Sequence, residues 1–369
     1  MGVAERGTGT CTAVGRPVDE LETPALVLDL AMATRNIAFM AERFGELPAR
    51  LRPHVKAHKC AELARMQLEH GAIGVTTATA AEAEAMAAAG IPDILVANEV
   101  VDPGGIERLL DAAVRARVTV AVDDRTNLET LAERAQAKGA VLGIVVEFDV
   151  GMGRGGVRSA DEALAIGRAG TDLAGVELEG LFGYEGHCAS EPDLATRSRE
   201  ARASMERLLE VADRFRAEGL PVRTVSAGAT GTFPTTGSMP GITEVQAGTY
   251  VLMDRFHEPL TAGCGFALSV ETTAISVHGD LVVFDAGRKA IGGDFGPPAG
   301  PDGGGEFAFI HEGHVGFRFP GGAPYRVGDR AALIPTYAPT TVNLFGAFQV
   351  AEAGQVVDVW PVLARHGDT

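Results

Sequence analysis

The chain has little of what marks a secreted, membrane-bound or nucleic-acid-binding protein. Its four cysteines, Cys11, Cys60, Cys188 and Cys264, show neither CxxC nor CxxH spacing, so neither a zinc site nor a disulfide framework is indicated. No apolar run approaches the roughly 20 residues that a membrane-spanning helix needs. The opening "MGVAERGTGTCTAVGRPVDE" has no apolar stretch of signal-peptide type, and Arg6 breaks the myristoylation pattern that Met-Gly begins. Basic residues are outnumbered, with 32 Lys and Arg against 49 Asp and Glu, for a formal net charge of −17. That sign is wrong for a protein built to hold a phosphate backbone. These absences lead to the expectation of a cytoplasmic protein with free thiols and neither a nucleic-acid nor a membrane partner.

What is present is ordinary globular composition, 46% hydrophobic and 22% charged, rich in Ala and Gly and only 6% aromatic. Residues 1–20 read as a flexible leader. From Leu51 a rhythm sets in of short β-branched runs, turns and Ala-rich amphipathic helices. The strands are "LRPHV" at 51, "IGVTT" at 73, "DILVA" at 93, "VTVAV" at 118, "LGIVVEF" at 142, "ELEGLFG" at 177, "VRTVSAG" at 222 and "ITEVQAG" at 242. Eight strands alternating with helices predict a (β/α)8 barrel over residues 21–254. A doubly wound open sheet fits less well, since the first strand–helix turn lacks a GxGxxG. Beyond about Asp254 the pattern turns to strand-like alternation, which predicts an all-β C-terminal domain over 255–369.

Barrel enzymes place their chemistry at the C-terminal ends of the strands. Five strand ends here carry polar or Gly-rich clusters: "RPHVKAHK" with Lys56, "EFDVGMGRGG" with Arg154, "GYEGHC" with Tyr184, "SAGATGT" from Ser226, and "QAGTY" from Gln246. The last two follow strands seven and eight, where barrels often bind a phosphate, and their glycines and hydroxyls suit an anion. Taken singly, each is also an ordinary turn. A phosphate site and a lysine at one mouth fit pyridoxal 5′-phosphate (PLP), which needs a lysine for its Schiff base, an anion site and support for its ring. His54, His58 and Lys59 beside Lys56 are expected to act as cations that lower its pKa.

The stretches "TPALVLDL", "RPHVKAHK", "GAIGVTTATAAEAEAMAAAGIPDILVANEV", "VEFDVGMGRGGV", "GYEGHC", "SAGATGT", "QAGTYVLMD", "DAGRKA", "HEGH" and "TVNL" together resemble the D-threonine aldolase and D-serine dehydratase-like family. These are fold-type III PLP enzymes of the alanine racemase superfamily. The resemblance runs from about residue 22 to the end. It implies a PLP-binding barrel with a C-terminal β domain and a homodimer whose site is completed at the interface. It implies Lys56 as the Schiff-base lysine, with Lys59 as the competing candidate. Arg154 is placed beside the cofactor's phenolate and Tyr184 against its ring. Gly228, Thr230, Gly248, Thr249 and Tyr250 fall at the phosphate, and Gln246, a neutral residue, near the ring nitrogen. Asp285 and His314 become candidates for substrate contact or proton transfer.

One motif departs from the family. Its lyases hold a divalent metal through a P-N-H-x-C/D segment ahead of "TVNL", and this chain reads "PTYAPTTVNL". Tyr337 stands at the histidine position and Pro339 at the Cys/Asp position, and neither is a good ligand. No metal ligand is therefore assigned. The expectation is a PLP-dependent lyase acting on a D-amino acid or β-hydroxy amino acid. The alternative is a metal-independent racemase or epimerase with Lys56 and Tyr337 as its bases. A PLP-binding protein without catalysis is a third reading, disfavoured by the C-terminal domain.

Overall fold

The computed structural model describes residues 13–301 and 304–365, so Cys11 and the first twelve residues of the expected leader lie outside it. Two compact units divide the described chain, one running from Ile37 to Tyr250 with Pro259–Cys264, the other comprising the rest. The first described strand, β1 (Ala25–Asp29), belongs to the second unit.

The first unit is an eight-stranded parallel barrel. Its strands are β2 (Arg50–Leu51), β3 (Val75–Thr77), β4 (Asp93–Glu99), β5 (Arg117–Val122), β6 (Leu142–Glu147), β7 (Val176–Phe182), β8 (Thr224–Ala227) and β9 (Glu244–Val245). All eight strands expected from the sequence are present. They pair in the order β2-β9-β8-β7-β6-β5-β4-β3. A parallel bridge between His54 and Thr76 joins β2 to β3, supported by Thr76 N–H donating to the Pro53 carbonyl at 2.8 Å. Strands buried on both faces read as continuous apolar runs, and every residue of β6 is buried.

The helices between them start where the sequence provides a cap. Thr79, Asp102, Asp124 and Asp193 each accept a backbone N–H from the first turn, and Ser159 forms a capping box with Glu162. Gly139 ends the helix Arg125–Lys138 in the left-handed conformation, φ 69°.

Near the N-terminal ends of the strands runs a chain of ion pairs that the sequence pattern did not announce. Glu244 pairs with Arg52 at 2.9 Å, Arg52 with Asp93 at 2.5 Å, and Asp93 with Arg117 at 3.0 Å. Glu179 then joins Arg117, at 2.8 Å, to Arg223, also at 2.8 Å.

The second unit is an eight-stranded sheet of β12 (Glu306–Ile310), β13 (Val315–Arg318), β11 (Leu281–Phe284), β10 (Leu268–His278), β1, β15 (Ala347–Glu352) and β16 (Gln355–Pro361), in that order, with β14 (Arg330–Leu333) on β10. The segment 21–36 was expected with the barrel. Instead β1 lies antiparallel to β10 and parallel to β15. Four of its five residues are buried, so it needs neighbours on both edges and cover on both faces. The described part of the leader is also held, with Gly15 N–H on the Val356 carbonyl at 2.8 Å and Val356 N–H on Arg16 at 2.9 Å. The C-terminal region is not purely β, since Ala338–Val342 forms a short helix with a proline in its first turn.

Candidate active site at the barrel mouth

Lys56 sits in a single 3-10 turn, Val55–Ala57, directly after β2. No carboxylate among the described residues forms an ion pair with it. Burial, and then the charge of Arg154, bring its pKa down to about 8, against the pull of Glu82. The cations expected to do this were His54, His58 and Lys59. Both histidines are buried, and burial pushes His58 down to about 4 and His54 well below its ordinary value, leaving both neutral. Lys59 is engaged with Glu82 at 2.5 Å, which separates the two candidate lysines. The tuning cation is Arg154, from a turn nearly a hundred residues away in sequence.

Lys56 and Arg154 both lie over the ring of Tyr184. The Lys56 Nζ lies 5.8 Å and the Arg154 guanidinium 5.3 Å from the Tyr184 ring centroid. Tyr184 packs on a plug of inward-facing residues, Leu95 and Ala97 from β4, Ala121 from β5, Val145 from β6 and Phe182 from β7. Its ring is therefore a firm floor for the mouth. Behind Arg154, Glu147 approaches to 3.6 Å.

The loop after β8 is organised by Glu185 of "GYEGHC", to which the sequence assigned no role. Glu185, fully buried, accepts the Gly228 N–H at 3.1 Å and the hydroxyls of Thr232 and Thr236, both at 2.7 Å. The Gly228 N–H is thus used within the protein. Thr230 and Thr249 are buried nearby in sequence to these turns. Gly248 lets the loop after β9 close on the lysine turn, since a Cβ there would stand 2.3 Å from the His54 carbonyl oxygen. Gln246 donates to the Ser226 hydroxyl at 2.8 Å and stays neutral. The Tyr250 hydroxyl, completely buried, receives Gln67 at 2.9 Å, and burial pushes its pKa up. Tyr250 is thus part of the packed interior.

A lysine with a lowered pKa and no ion-pair partner among the described residues, an aromatic ring and an arginine beside it, and two tightly folded loops fit PLP. Glu147, Glu99 and Gln67 were missed, and Glu185 stood in "GYEGHC" at a strand end without a role. For the first two the available signal was a carboxylate closing an apolar strand, as in "ILVANE" and "GIVVEF".

In the second unit, Asp285 accepts from Thr272 at 2.6 Å, from the Thr273 N–H at 2.9 Å and from Thr23 at 2.6 Å, so both oxygens are committed to holding the sheet. His314 is exposed in the turn between β12 and β13. Tyr337 precedes the short helix and stacks on His257, centroids 5.9 Å apart, with Phe295 at 4.8 Å. Asp254 accepts His257 Nδ1 at 2.7 Å and the Ala338 N–H at 2.8 Å. Burial, with Asp254 and Asp294, raises the Tyr337 pKa. A neutral phenol and a proline offer a divalent ion nothing. Among the described residues no cluster of three or more His, Cys, Asp or Glu side chains could hold one.

Residues 28–255 match the alanine racemase N-terminal domain family and residues 267–351 a serine dehydratase domain family. The D-threonine aldolase of an Arthrobacter species is 34% identical over 360 residues, covering 95% of this chain and 94% of its own. A D-threo-3-hydroxyaspartate dehydratase of Delftia is 33% identical, covering 94% and 98%. The crystal structure of D-threonine aldolase from Filomicrobium marinum superposes with a TM-score of 0.92 at 32% identity, covering 96% and 98%. The chain belongs to the PLP-dependent alanine racemase superfamily, in the branch that joins the racemase-type barrel to a serine dehydratase domain.

Proposed function

We propose that this protein is a PLP-dependent lyase that cleaves a β-hydroxy D-amino acid. The observation that carries the reading is Lys56, without an ion-pair partner among the described residues and with a pKa of about 8, sharing the Tyr184 ring with Arg154. When bound, the cofactor accepts the electron pair of the bond broken at the substrate's α-carbon. Lys56, reactive because its amine is easily freed of its proton, would hold the cofactor, and once the substrate's amine has displaced it would move a proton at the α-carbon. Tyr184 supports the ring, Arg154 meets the phenolate side, and Gln246 gives the ring nitrogen a neutral neighbour. Thr230, Gly248 and Thr249, with the loop that Glu185 holds, take the phosphate.

His314 and Tyr337 enter the proposal through the resemblance as groups on the substrate side. With its pKa raised, Tyr337 suits the role of proton donor better than that of base. A racemase or epimerase is the second reading. Tyr337 and Pro339 in place of metal ligands favour it, because aldol cleavage and β-elimination then lack the metal that polarises the hydroxyl. The raised phenol pKa counts against it. A homodimer in the cytoplasm belongs to the same proposal; no described helix is long and apolar enough to cross a membrane.

The test is incubation of the PLP-loaded protein with D-threonine, D-serine and D-alanine in D2O, with EDTA or with added Mn2+ or Zn2+. Glycine plus acetaldehyde, or a 2-oxo acid plus ammonia, is the expected result. Deuterium at Cα with an intact carbon skeleton as the sole outcome overturns the lyase reading in favour of the racemase. No visible cofactor band overturns both.

A further inference from the structure

Three carboxylates face the turn that carries Arg154: Glu99 at the end of β4, Asp123 after β5 and Glu147 at the end of β6. Asp123 accepts the Gly156 N–H at 2.9 Å. Glu99 and Glu147 converge on Gly155. A Cβ there would stand 3.3 Å from Glu99 Oε2 and 3.4 Å from each oxygen of Glu147, so both carboxylates close on the same point of the turn. Glu147 is 4% exposed, and Glu99 Oε1 and Glu147 Oε2 are buried without a hydrogen-bond partner. Two ionised carboxylates this close and this dry repel each other, and one proton between them removes the conflict.

We propose that Glu147 is the positioning residue for Arg154: as a neutral carboxylic acid it bridges the guanidinium to Glu99 and holds Arg154 over the Tyr184 ring. The protonation fits its surroundings, since burial and the adjoining Glu99 push Glu147 up to about 9, opposed by Arg154 and reinforced by Asp123. Arg154 needs the support, because its own side chain is 46% exposed. Through Arg154 the bridge reaches Lys56, whose pKa the guanidinium lowers. The consequence for the cofactor rests on the function proposed above. The bridge itself does not.

The test compares Glu147→Gln, Glu147→Asp and Glu147→Leu with the parent protein. An amide can accept from Arg154 and donate to Glu99 as the neutral acid does, so E147Q is the conservative rescue. The first readout needs no cofactor: the rate at which phenylglyoxal modifies Arg154, followed by peptide mass mapping. E147Q is expected to react at the parent rate, while E147D, a methylene too short, and E147L react several-fold faster. The second readout is the pH midpoint of the bound cofactor's visible band, expected to stay in place in E147Q and to shift upward in E147D and E147L. Equal modification rates in all four proteins overturn the proposal. So does an E147Q as reactive as E147L, which would mean that an ionised Glu147 holds Arg154. If E147L does not fold, the comparison of E147D with E147Q decides. A parent protein without a cofactor band defeats the functional reading and leaves the modification test standing.

Discussion

At Lys56 the loss of surrounding water and the charge of Arg154 both disfavour the ammonium, and the pKa falls from an ordinary 10.5 to about 8. Between those two values the unfolded chain carries a proton that the folded chain does not, so this group's contribution to stability rises with pH across that window. Below pH 8 both states are protonated and the penalty is constant, roughly 3 kcal/mol by the usual conversion of pKa shift to free energy. Without cofactor, Lys56→Met is therefore expected to be more stable than the parent protein at pH 7, with the difference fading towards pH 10. Urea unfolding at the two pH values measures it. Equal midpoints at pH 7 would show that the ammonium is not strained. The same substitution is expected to abolish the visible band on addition of PLP, with no phosphopyridoxyl mass after borohydride reduction. The position of this lysine at a strand end was legible in "RPHVKAHK". The source of its perturbation was not, because Arg154 reaches it only through the curl of the barrel.

The strand-to-helix turns are the elements that shape the mouth, and Glu185 ties two of them together. One buried carboxylate holds a backbone N–H and two hydroxyls from the loop after β8. Glu185→Ala leaves three donors without their acceptor, and is expected to cost about 3 kcal/mol or more. Chemical denaturation measures the loss, and equilibrium dialysis is expected to show weaker PLP binding. A variant as stable as the parent protein would mean that water replaces the carboxylate. Sequence pattern found every barrel strand because buried parallel strands are continuous β-branched runs, and it found the helices from their Ala-rich amphipathic spacing; the Asp, Thr and Ser caps that open them are seen in the structure. It set "TPALVLDL" with the barrel because nothing in a short apolar run names its partner strand. Tyr337 shows the same limit, since its setting against His257 and Phe295 joins segments distant in sequence.

Across the molecule, the acidic net charge conceals how many charges are used internally. The pairs linking Glu244, Arg52, Asp93, Arg117, Glu179 and Arg223 tie β2, β9, β4, β5, β7 and β8 near the end of the barrel opposite the mouth. Arg52 is 6% exposed and Glu244 3%, so Arg52→Leu would leave a buried carboxylate without its cation. The expected cost is about 3–5 kcal/mol. Arg52→Leu with Glu244→Leu is expected to recover most of it, a double-mutant cycle that thermal or urea unfolding reads directly. Additive losses would mean that the pair does not act as a unit. The sequence by itself determined the barrel and the strand-rich C-terminal region, and it put Lys56 and the Gly-rich turns after β8 and β9 at strand ends, because each is written in local periodicity or in a contiguous motif. Only the tertiary structure decided that β1 joins the second sheet, that Arg154 tunes Lys56, that Glu185 uses the Gly228 N–H, and that Glu99 and Glu147 meet behind the arginine. Those four depend on residues brought together by strand pairing and barrel curvature, and the order of residues along a chain does not record such distances.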